Sequence, residues 1–243
     1  MLTLYHFWSS TCSRKVRLCL AEKGLDWTSH HVDIVNKRDN TQDWYVNLNP
    51  NGVVPTLNHD GQIVTESNII LEYLEDAFPE APLRPSTAEG KARMRLWMDK
   101  AETIVHKNIN VISWNKRHMP RMSQYSDDEH RAVLEAFPNL DKRRVMLERL
   151  SKGVSAEEEA FCLDRLSALM DEMEEALGNN AWLVGDVFSL ADIAIAPFVE
   201  RFEANELRDL VDFKLRPKVG AWWRNVRARQ SYEIAFSFRN PDA

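Results

Sequence analysis

The segment from residue 79 to residue 85 places three prolines within seven residues and divides the chain into two parts with different patterns. Proline lacks a backbone N–H and is disfavoured inside helices and central strands, so this segment is typical of a linker. Short strand-like and helix-like runs alternate before it, and strand patterns disappear from Ser86 onward. We therefore predict an α/β domain over residues 1–80, a linker over 79–85, and an all-α domain over residues 86–243.

The N-terminal part has the pattern of a small sheet covered by helices. Leu2–Phe7 is a compact apolar run, and the apolar spacing that follows is helical until Gly24. The turn signal at residues 59–61 predicts a hairpin over residues 56–64. The predicted elements are strands at 2–7, 30–34, 53–57 and 62–64, and helices at 11–23 and 67–78.

Signals for helix starts define the C-terminal part. A serine followed three residues later by an acidic residue is a capping box, and such pairs are Ser86/Glu89, Ser155/Glu158 and Ser189/Asp192. The first pair predicts a long helix toward His118, and the second predicts a helix to about Leu177. Pro217 predicts a last helix to about Arg229. Residues 120–154 are polar, and we predict that they are partly helical and partly loop.

Composition excludes several classes of function. The chain has 31 basic and 37 acidic side chains, and a net charge of −6 gives no electrostatic reason to bind nucleic acid. No apolar stretch approaches the roughly 20 residues of a membrane span, and the N-terminus lacks the pattern of a signal peptide. The three cysteines and seven histidines match no zinc motif, so no metal site is expected. Unpaired cysteines fit a reducing compartment, and we predict a cytoplasmic protein.

Three short segments could carry chemistry. Trp8–Ser13 lies at a predicted strand-to-helix turn, where free N–H groups and a hydroxyl could stabilise a thiolate. Val54-Pro55 places a proline in a strand, and Thr65–Asn68 could present a carboxylate, a hydroxyl and N–H groups to an amino acid. Taken alone, each segment is better explained as a cap, an edge or a turn. Cys12 falls on the apolar stripe of the first helix, which favours a buried structural cysteine.

Taken in chain order, four segments resemble the cytosolic glutathione transferase family, and the resemblance covers essentially the whole chain. Ser10–Gly24 is similar to the active-site turn and first helix of serine-type classes such as zeta and tau. Asn49–Leu57 resembles the family's segment that ends in the cis-proline, and Thr65–Leu74 resembles the start of its γ-glutamyl-binding helix. Trp182–Ala194 resembles the family's buried capping-box motif. The bacterial β-etherase branch is also similar, through Asp43-Trp44, residues 72–79 and a charged insertion near 137–154.

The resemblance implies roles for individual residues. Ser10 falls where serine-type classes hold the hydroxyl that stabilises the glutathione thiolate, while Ser9 and Ser13 compete for this role and the β-etherase alignment favours Ser13. For the rest of glutathione, the resemblance implies that Val54 pairs with the cysteinyl unit, that Glu66 and Ser67 bind the γ-glutamyl end, and that Asn40 contacts the glycyl carboxylate. Pro55 would be the cis-proline. The residues implied to line the pocket of a hydrophobic second substrate are Trp8, Trp114, Met119 and Met122.

The resemblance also implies a fold and a function. The fold would be a thioredoxin-like N-terminal domain with an all-α C-terminal domain, in a homodimer. Glutathione would be the co-substrate, without a metal, and its thiolate would attack a small hydrophobic, aromatic electrophile by conjugation or β-aryl ether cleavage. The alternatives are a glutathione-binding carrier or scaffold without turnover, and a glutathione-dependent isomerase.

Overall fold

The computed structural model describes residues 1–122 and 126–241, with the side chains of residues 121, 122, 127 and 130 left undescribed. Within these residues, four strands form one mixed sheet in the order β2-β1-β3-β4. The strands are β1 (Leu2–His6), β2 (Trp27–His31), β3 (Thr56–His59) and β4 (Gln62–Thr65). β1 pairs parallel with β2 and antiparallel with β3, and β3 and β4 form the predicted hairpin.

Helices cover both faces of the sheet. The parallel pair requires a crossover connection, which α1 (Thr11–Glu22) supplies. α1 and α3 (Ser67–Ala77) pack on one face, where Leu4, Val16 and Ile70 are fully buried. The short helix α2 (Asp43–Val46) buries Tyr45 in a second, smaller cluster with Phe7 and Val32. The predicted α/β N-terminal fold is confirmed.

Two strand boundaries differ from the prediction, and side chains explain both differences. The second strand was predicted at 30–34 but ends at His31, because the Asp33 carboxylate accepts the backbone N–H groups of Val35 and Asn36 and turns the chain. The third strand was predicted to begin at residue 53 but begins at Thr56. Pro55 precedes it and has no N–H to donate to the sheet.

The C-terminal part is helical, as predicted. Its first long helix comprises α4 (Ala88–Lys100), a π-helical turn (Ala101–His106), α5 (Lys107–Ser113), a second π-helical turn (Trp114–His118) and α6 (Met119–Met122). The helices that follow are α7 (Asp127–Glu135), α8 (Leu140–Lys152), α9 (Ala156–Leu177), α10 (Leu190–Ala204), α11 (Pro217–Arg227) and α12 (Gln230–Phe236). The predicted cap at Ser86 is wrong by one residue, because the Thr87 hydroxyl accepts the N–H of Gly90.

A buried capping box supports α10. Ser189 caps the helix, and both Ser189 and Asp192 are fully buried. The Asp192 carboxylate accepts hydrogen bonds from the backbone N–H groups of Leu183 and Ser189 and from the Trp222 indole. Burial raises the pKa of Asp192, and these hydrogen bonds oppose that rise. The predicted structural role of this pair is confirmed.

The two parts of the chain pack closely against one another. The Arg17 guanidinium of α1 donates to the carbonyl oxygen of Ala235 in α12, and Arg14 forms an ion pair with Glu200 of α10. Lys23 is buried against the Glu75 carboxylate at 2.7 Å and donates to the carbonyl oxygens of Phe78 and Ala81. The proline-rich segment is thereby fixed to the sheet domain, and the division of the chain at residues 79–85 stays a prediction. Among the described residues no helix is long and apolar enough to cross a bilayer.

Candidate active site

The loop after β1 is held in place through its carbonyl oxygens. The buried guanidinium of Arg17 donates to the carbonyls of Phe7 at 3.3 Å and Trp8 at 2.9 Å. Arg201, from α10, donates to the Ser9 carbonyl at 2.6 Å. Burial lowers the pKa of Arg17 to about 9, which leaves it charged at neutral pH. Two fixed cations therefore position the residues that lead into α1.

Ser10 lies at an accessible position of this turn. It is the N-cap of α1, it is half-buried, and its Oγ accepts the backbone N–H of Ser13 at 3.2 Å. A hydroxyl that accepts one hydrogen bond keeps its own hydrogen to donate, so Ser10 can donate to an anion at the helix start. Among the described residues, the N–H groups of Thr11 and Cys12 have no backbone partner, which is the normal state of a first helical turn.

The competing serines are placed differently. Ser13 is fully buried, and its Oγ lies 3.4 Å from the backbone N of Phe7, which donates to it. Ser9 is also buried, at 8% exposure. Neither hydroxyl is presented to solvent as that of Ser10 is, and this burial argues against Ser9 and Ser13 as direct ligands of a bound thiolate.

The Val54–Pro55 peptide bond is cis, in agreement with the implied cis-proline. The carbonyl of the preceding residue, Val53, is occupied by the Tyr45 hydroxyl at 2.6 Å and the Asn49 amide at 2.8 Å. The backbone N–H and C=O of Val54, by contrast, have no hydrogen-bond partner among the described residues. This edge can therefore pair with an extended peptide-like ligand.

Glu66 occupies an unusual backbone conformation at the start of α3. Its φ of 66° lies in the left-handed region, which costs free energy for a residue with a side chain and recurs at functional sites. Its side chain is exposed, and Oε1 lies 3.4 Å from the Asn51 amide, which donates to it. Asn51 in turn accepts from the Asn139 amide at 3.1 Å. No local sequence pattern predicts that Asn139, at the start of α8, reaches this edge.

Asn40, which was expected at the glycyl carboxylate, lies between two loops. Its side chain is 4% exposed, and its amide donates to the Gly52 carbonyl at 2.9 Å. Asn40 therefore ties one loop to another, and its contact with a ligand stays a prediction. Ser67, at 5% exposure, is also buried, but it lies in the first turn of α3, where backbone N–H groups are free.

The residues expected to line the second-substrate pocket do not share one environment. Trp8 is half-buried and packs beside Phe7, with ring centroids 5.9 Å apart. Met119 is exposed, whereas Trp114 is only 4% exposed, and its indole N–H has no hydrogen-bond partner among the described residues. The Trp114 ring packs beside His118, with ring centroids 5.7 Å apart. The side chain of Met122 lies outside the described residues.

A polar cluster that the sequence did not predict lies beside the turn between β1 and α1. Cys12 is half-buried rather than fully buried, and its Sγ lies 4.0 Å from Nε2 of His106. Nδ1 of the same ring is 2.6 Å from Glu102, whose other carboxylate oxygen is 3.6 Å from Nζ of Lys15. Glu102 and His106 lie one turn apart in the π-helical segment after α4. Only the fold brings this segment to α1, 94 residues away in sequence.

The charges within this cluster shift the pKa values of Cys12, His106 and Glu102. Burial raises the pKa of Cys12, but His106 and Lys15 outweigh it, so that the pKa lies at about 7. The negative charge of Cys12 is the main reason that the pKa of His106 rises to about 10. Burial raises the pKa of Glu102, but its contacts with His106 and Lys15 lower it to about 2. Cys12 is therefore half thiolate near neutral pH.

Comparisons with known proteins cover the whole chain. Residues 9–77 match the family described as "Glutathione S-transferase, N-terminal domain", and residues 128–225 match "Glutathione S-transferase, C-terminal domain". The chain is 32% identical to "Protein LigF" of Sphingobium sp. strain SYK-6, over 97% of this chain and 93% of that protein. The crystal structure of the β-etherase LigF superposes with a TM-score of 0.90 at 30% identity, over 97% and 98% of the two chains.

A further relative differs in its described activity. The chain is 39% identical to a Caenorhabditis elegans protein described as a probable maleylacetoacetate isomerase, over 81% of this chain and 76% of that protein. The likeness therefore extends to relatives with different reactions.

Proposed function

Because the chain belongs to the glutathione S-transferase family, we propose that it binds glutathione as a co-substrate and activates the glutathione thiol at Ser10. The observation that supports this assignment is the half-buried Ser10 hydroxyl at the start of α1, which accepts from Ser13 and keeps its hydrogen free. A free thiol has a pKa of about 8.5, and a helix start together with a hydroxyl donor lowers it toward about 7. Ser10 then stabilises the thiolate and is not itself the nucleophile.

The rest of the glutathione molecule has matching contacts in this proposal. The free backbone groups of Val54 pair with the cysteinyl unit, next to the cis bond to Pro55. The exposed Glu66 carboxylate receives the γ-glutamyl amino group, and the first N–H groups of α3, at Ser67, receive its carboxylate. Charge-assisted hydrogen bonds to both groups of the γ-glutamyl end, together with the backbone pairing at Val54, orient the tripeptide with its sulfur toward Ser10.

For the reaction, we propose glutathione-dependent cleavage of a β-aryl ether. The whole-chain likeness to the β-etherase LigF, at a TM-score of 0.90, supports this choice. The thiolate attacks the carbon that carries the aryloxy group, a sulfur–carbon bond forms, and the carbon–oxygen bond breaks. The aryloxide leaves with the electron pair and is protonated from solvent. Trp8 and Met119, which are not fully buried, remain the candidate contacts for the aromatic substrate.

A second candidate function is glutathione-dependent isomerisation. The 39% identity to a protein described as a maleylacetoacetate isomerase favours it. In that reaction the thiolate would add to a conjugated double bond and leave again, so glutathione would be recovered unchanged. Consumption of glutathione therefore separates the two functions.

We also propose a homodimer in the cytoplasm. Ile69 of α3 and Leu96 of α4 are 59% and 60% exposed, and an ion pair between Glu72 and Arg95, at 2.9 Å, links the two helices at the same surface. An exposed apolar residue on each of two linked helices supports an interface between two copies. The free cysteines Cys12, Cys19 and Cys162 support a reducing compartment.

Product analysis tests the reaction. The protein is incubated with glutathione and a β-aryl ether dimer, and the released phenol and the glutathione thioether are measured by liquid chromatography with mass detection. Ether cleavage predicts equal amounts of phenol and thioether. Turnover of maleylacetoacetate without loss of glutathione would support the isomerase. Retention on immobilised glutathione without turnover of either substrate would support a carrier and contradict the enzyme.

A further inference from the structure

The charges of Cys12 and the three charged groups around it balance only when Cys12 is ionised. Glu102 contributes one negative charge, and His106 and Lys15 contribute one positive charge each. With a neutral thiol the half-buried cluster carries one net positive charge, and with a thiolate it carries none. Because an unbalanced charge is costly away from bulk water, the arrangement favours the thiolate.

The positions of the ring nitrogens assign a role to each residue. Glu102 holds Nδ1 of His106 at 2.6 Å, which fixes the ring and favours the imidazolium. Nε2 then directs its proton toward Sγ of Cys12 at 4.0 Å. A thiol activated by a histidine that a third, acidic residue orients is the general arrangement of an activated nucleophile.

The same three residues could also be read as metal ligands, since their ligand atoms lie within 4.8 Å of one another. Two contacts disfavour this. The Glu102 carboxylate is engaged by both His106 and Lys15, and the Lys15 ammonium places a fixed positive charge 3.6 Å from that carboxylate. A cation would be repelled by Lys15, whereas an anionic sulfur is stabilised by it.

We propose that Cys12 is a second nucleophilic sulfur, carried by the protein itself and positioned by His106 and Glu102, which is alkylated by soft carbon electrophiles. The sulfur forms a bond to the electrophilic carbon, the bond from that carbon to its leaving group breaks, and the leaving group departs with the electron pair. Cys12 is half-buried, and the side chains of His106 and Glu102 are 27% and 44% exposed, so small electrophiles can reach it.

Because of the position of Cys12, its alkylation would alter the start of α1. It lies in the first turn of α1, two residues after the Ser10 cap. A group attached to its sulfur occupies the space at the helix start. An electrophile that escapes reaction with glutathione therefore modifies the protein beside its own active site.

The test is a pH profile of alkylation with site resolution. The folded protein is treated briefly with iodoacetamide across about pH 5.5 to 9.5, on both sides of an ordinary cysteine pKa, then quenched and digested. The extent of labelling at each cysteine is read by mass spectrometry. Cys19 and Cys162 serve as internal controls, because both are buried and burial raises the pKa of each thiol, that of Cys19 to about 12. We expect Cys12 to be labelled with an inflection near pH 7 while the other two stay unlabelled.

Variants of the cluster residues test how much each of them contributes to the reactivity of Cys12. In His106→Gln the imidazolium is lost, and the inflection should move to about 8.5 or above. At pH 6.5 this reduces the thiolate fraction about 20-fold, and the more basic thiolate recovers about four- to fivefold in nucleophilicity, so labelling should slow by about fivefold. Glu102→Gln removes a negative charge that raises the pKa of Cys12, so it should move the inflection to lower pH, by less than His106→Gln moves it to higher pH. Lys107→Gln removes an exposed positive charge from the same helix and should leave the profile unchanged.

Two results would overturn the proposal. One is an inflection for Cys12 at or above about 8.5 in the unmodified protein. The other is a profile that neither His106→Gln nor Glu102→Gln changes, with both variants folded by circular dichroism. The experiment contains no glutathione, so its failure leaves the proposed transferase function untouched, and loss of that function leaves this result untouched.

Discussion

Replacing Ser10 by alanine removes the hydroxyl of the residue that caps α1. The change deletes the donor to the proposed glutathione thiolate and also the acceptor for the backbone N–H of Ser13. These two losses affect different quantities. The first changes the pKa of the bound glutathione thiol, and the second changes the free energy of unfolding.

The size of each effect follows from the kind of hydrogen bond that is lost. A hydrogen bond to a charged group contributes about 1.5–3 kcal/mol, and one pKa unit corresponds to about 1.4 kcal/mol. The pKa of the bound thiol should therefore rise by about one to two units. If it lies near 7 in the unmodified protein, the thiolate fraction at pH 7 falls about 5- to 50-fold. Loss of the cap should cost about 1 kcal/mol of stability, which leaves the protein folded.

The assay is an ultraviolet titration of the thiolate absorbance of glutathione bound to the protein, across the pH range, with turnover measured in parallel. Ser10→Thr keeps a hydroxyl and should retain the low pKa. Ser13→Ala removes a buried hydroxyl and should leave the thiol pKa unchanged. The reasoning is refuted if Ser10→Ala titrates like the unmodified protein, or if Ser13→Ala raises the thiol pKa instead.

The remaining predictions concern the buried box, the glutathione site and the dimer. Asp192→Ala leaves several buried donors without an acceptor and should lower the free energy of unfolding by about 3–5 kcal/mol in urea titrations. Asp186→Ala, at an exposed position, should change it little. Equal free energies of unfolding for the two variants would contradict the structural role of the capping box. Glu66→Gln should raise KM for glutathione about tenfold with little change in kcat, because it weakens an ionic contact to the bound molecule; an unchanged KM speaks against that contact. Leu96→Glu should convert the proposed dimer to a monomer in light scattering, while Leu140→Glu, at another exposed leucine, should not. A dimer in both variants would place the interface elsewhere.

Short-range signals predicted the elements that depend on neighbouring residues. The hairpin follows from the turn at Asp60-Gly61, where both residues adopt positive φ. The start of α10 follows from the Ser189/Asp192 pair, which needs no distant partner to form. The boundaries that were wrong were decided by competing side chains, Asp33 at the end of β2 and Thr87 at the start of α4.

The sequence predicted which positions lie at the candidate site, but not which of their side chains are exposed and which are buried. Ser10 and Ser13 lie one helical turn apart, and only the packing of α1 on the sheet shows that Ser13 is buried. Trp114 was expected beside a substrate. It is 4% exposed and begins the π-helical turn Trp114–His118, which no local sequence signal predicted. The contact of Cys12 with His106 has no local signal, because it is made only when the two halves of the chain pack together.

A crystal structure with glutathione bound tests the central claim most directly. The account predicts that the glutathione sulfur lies within hydrogen-bonding distance of Ser10 Oγ, with the cysteinyl backbone paired to Val54 and the γ-glutamyl end at Glu66. A sulfur that instead meets the hydroxyl of Ser13, after a rearrangement of the first turn of α1, would contradict the assignment of Ser10. Glutathione bound away from Val54 and Glu66 would contradict the site as a whole.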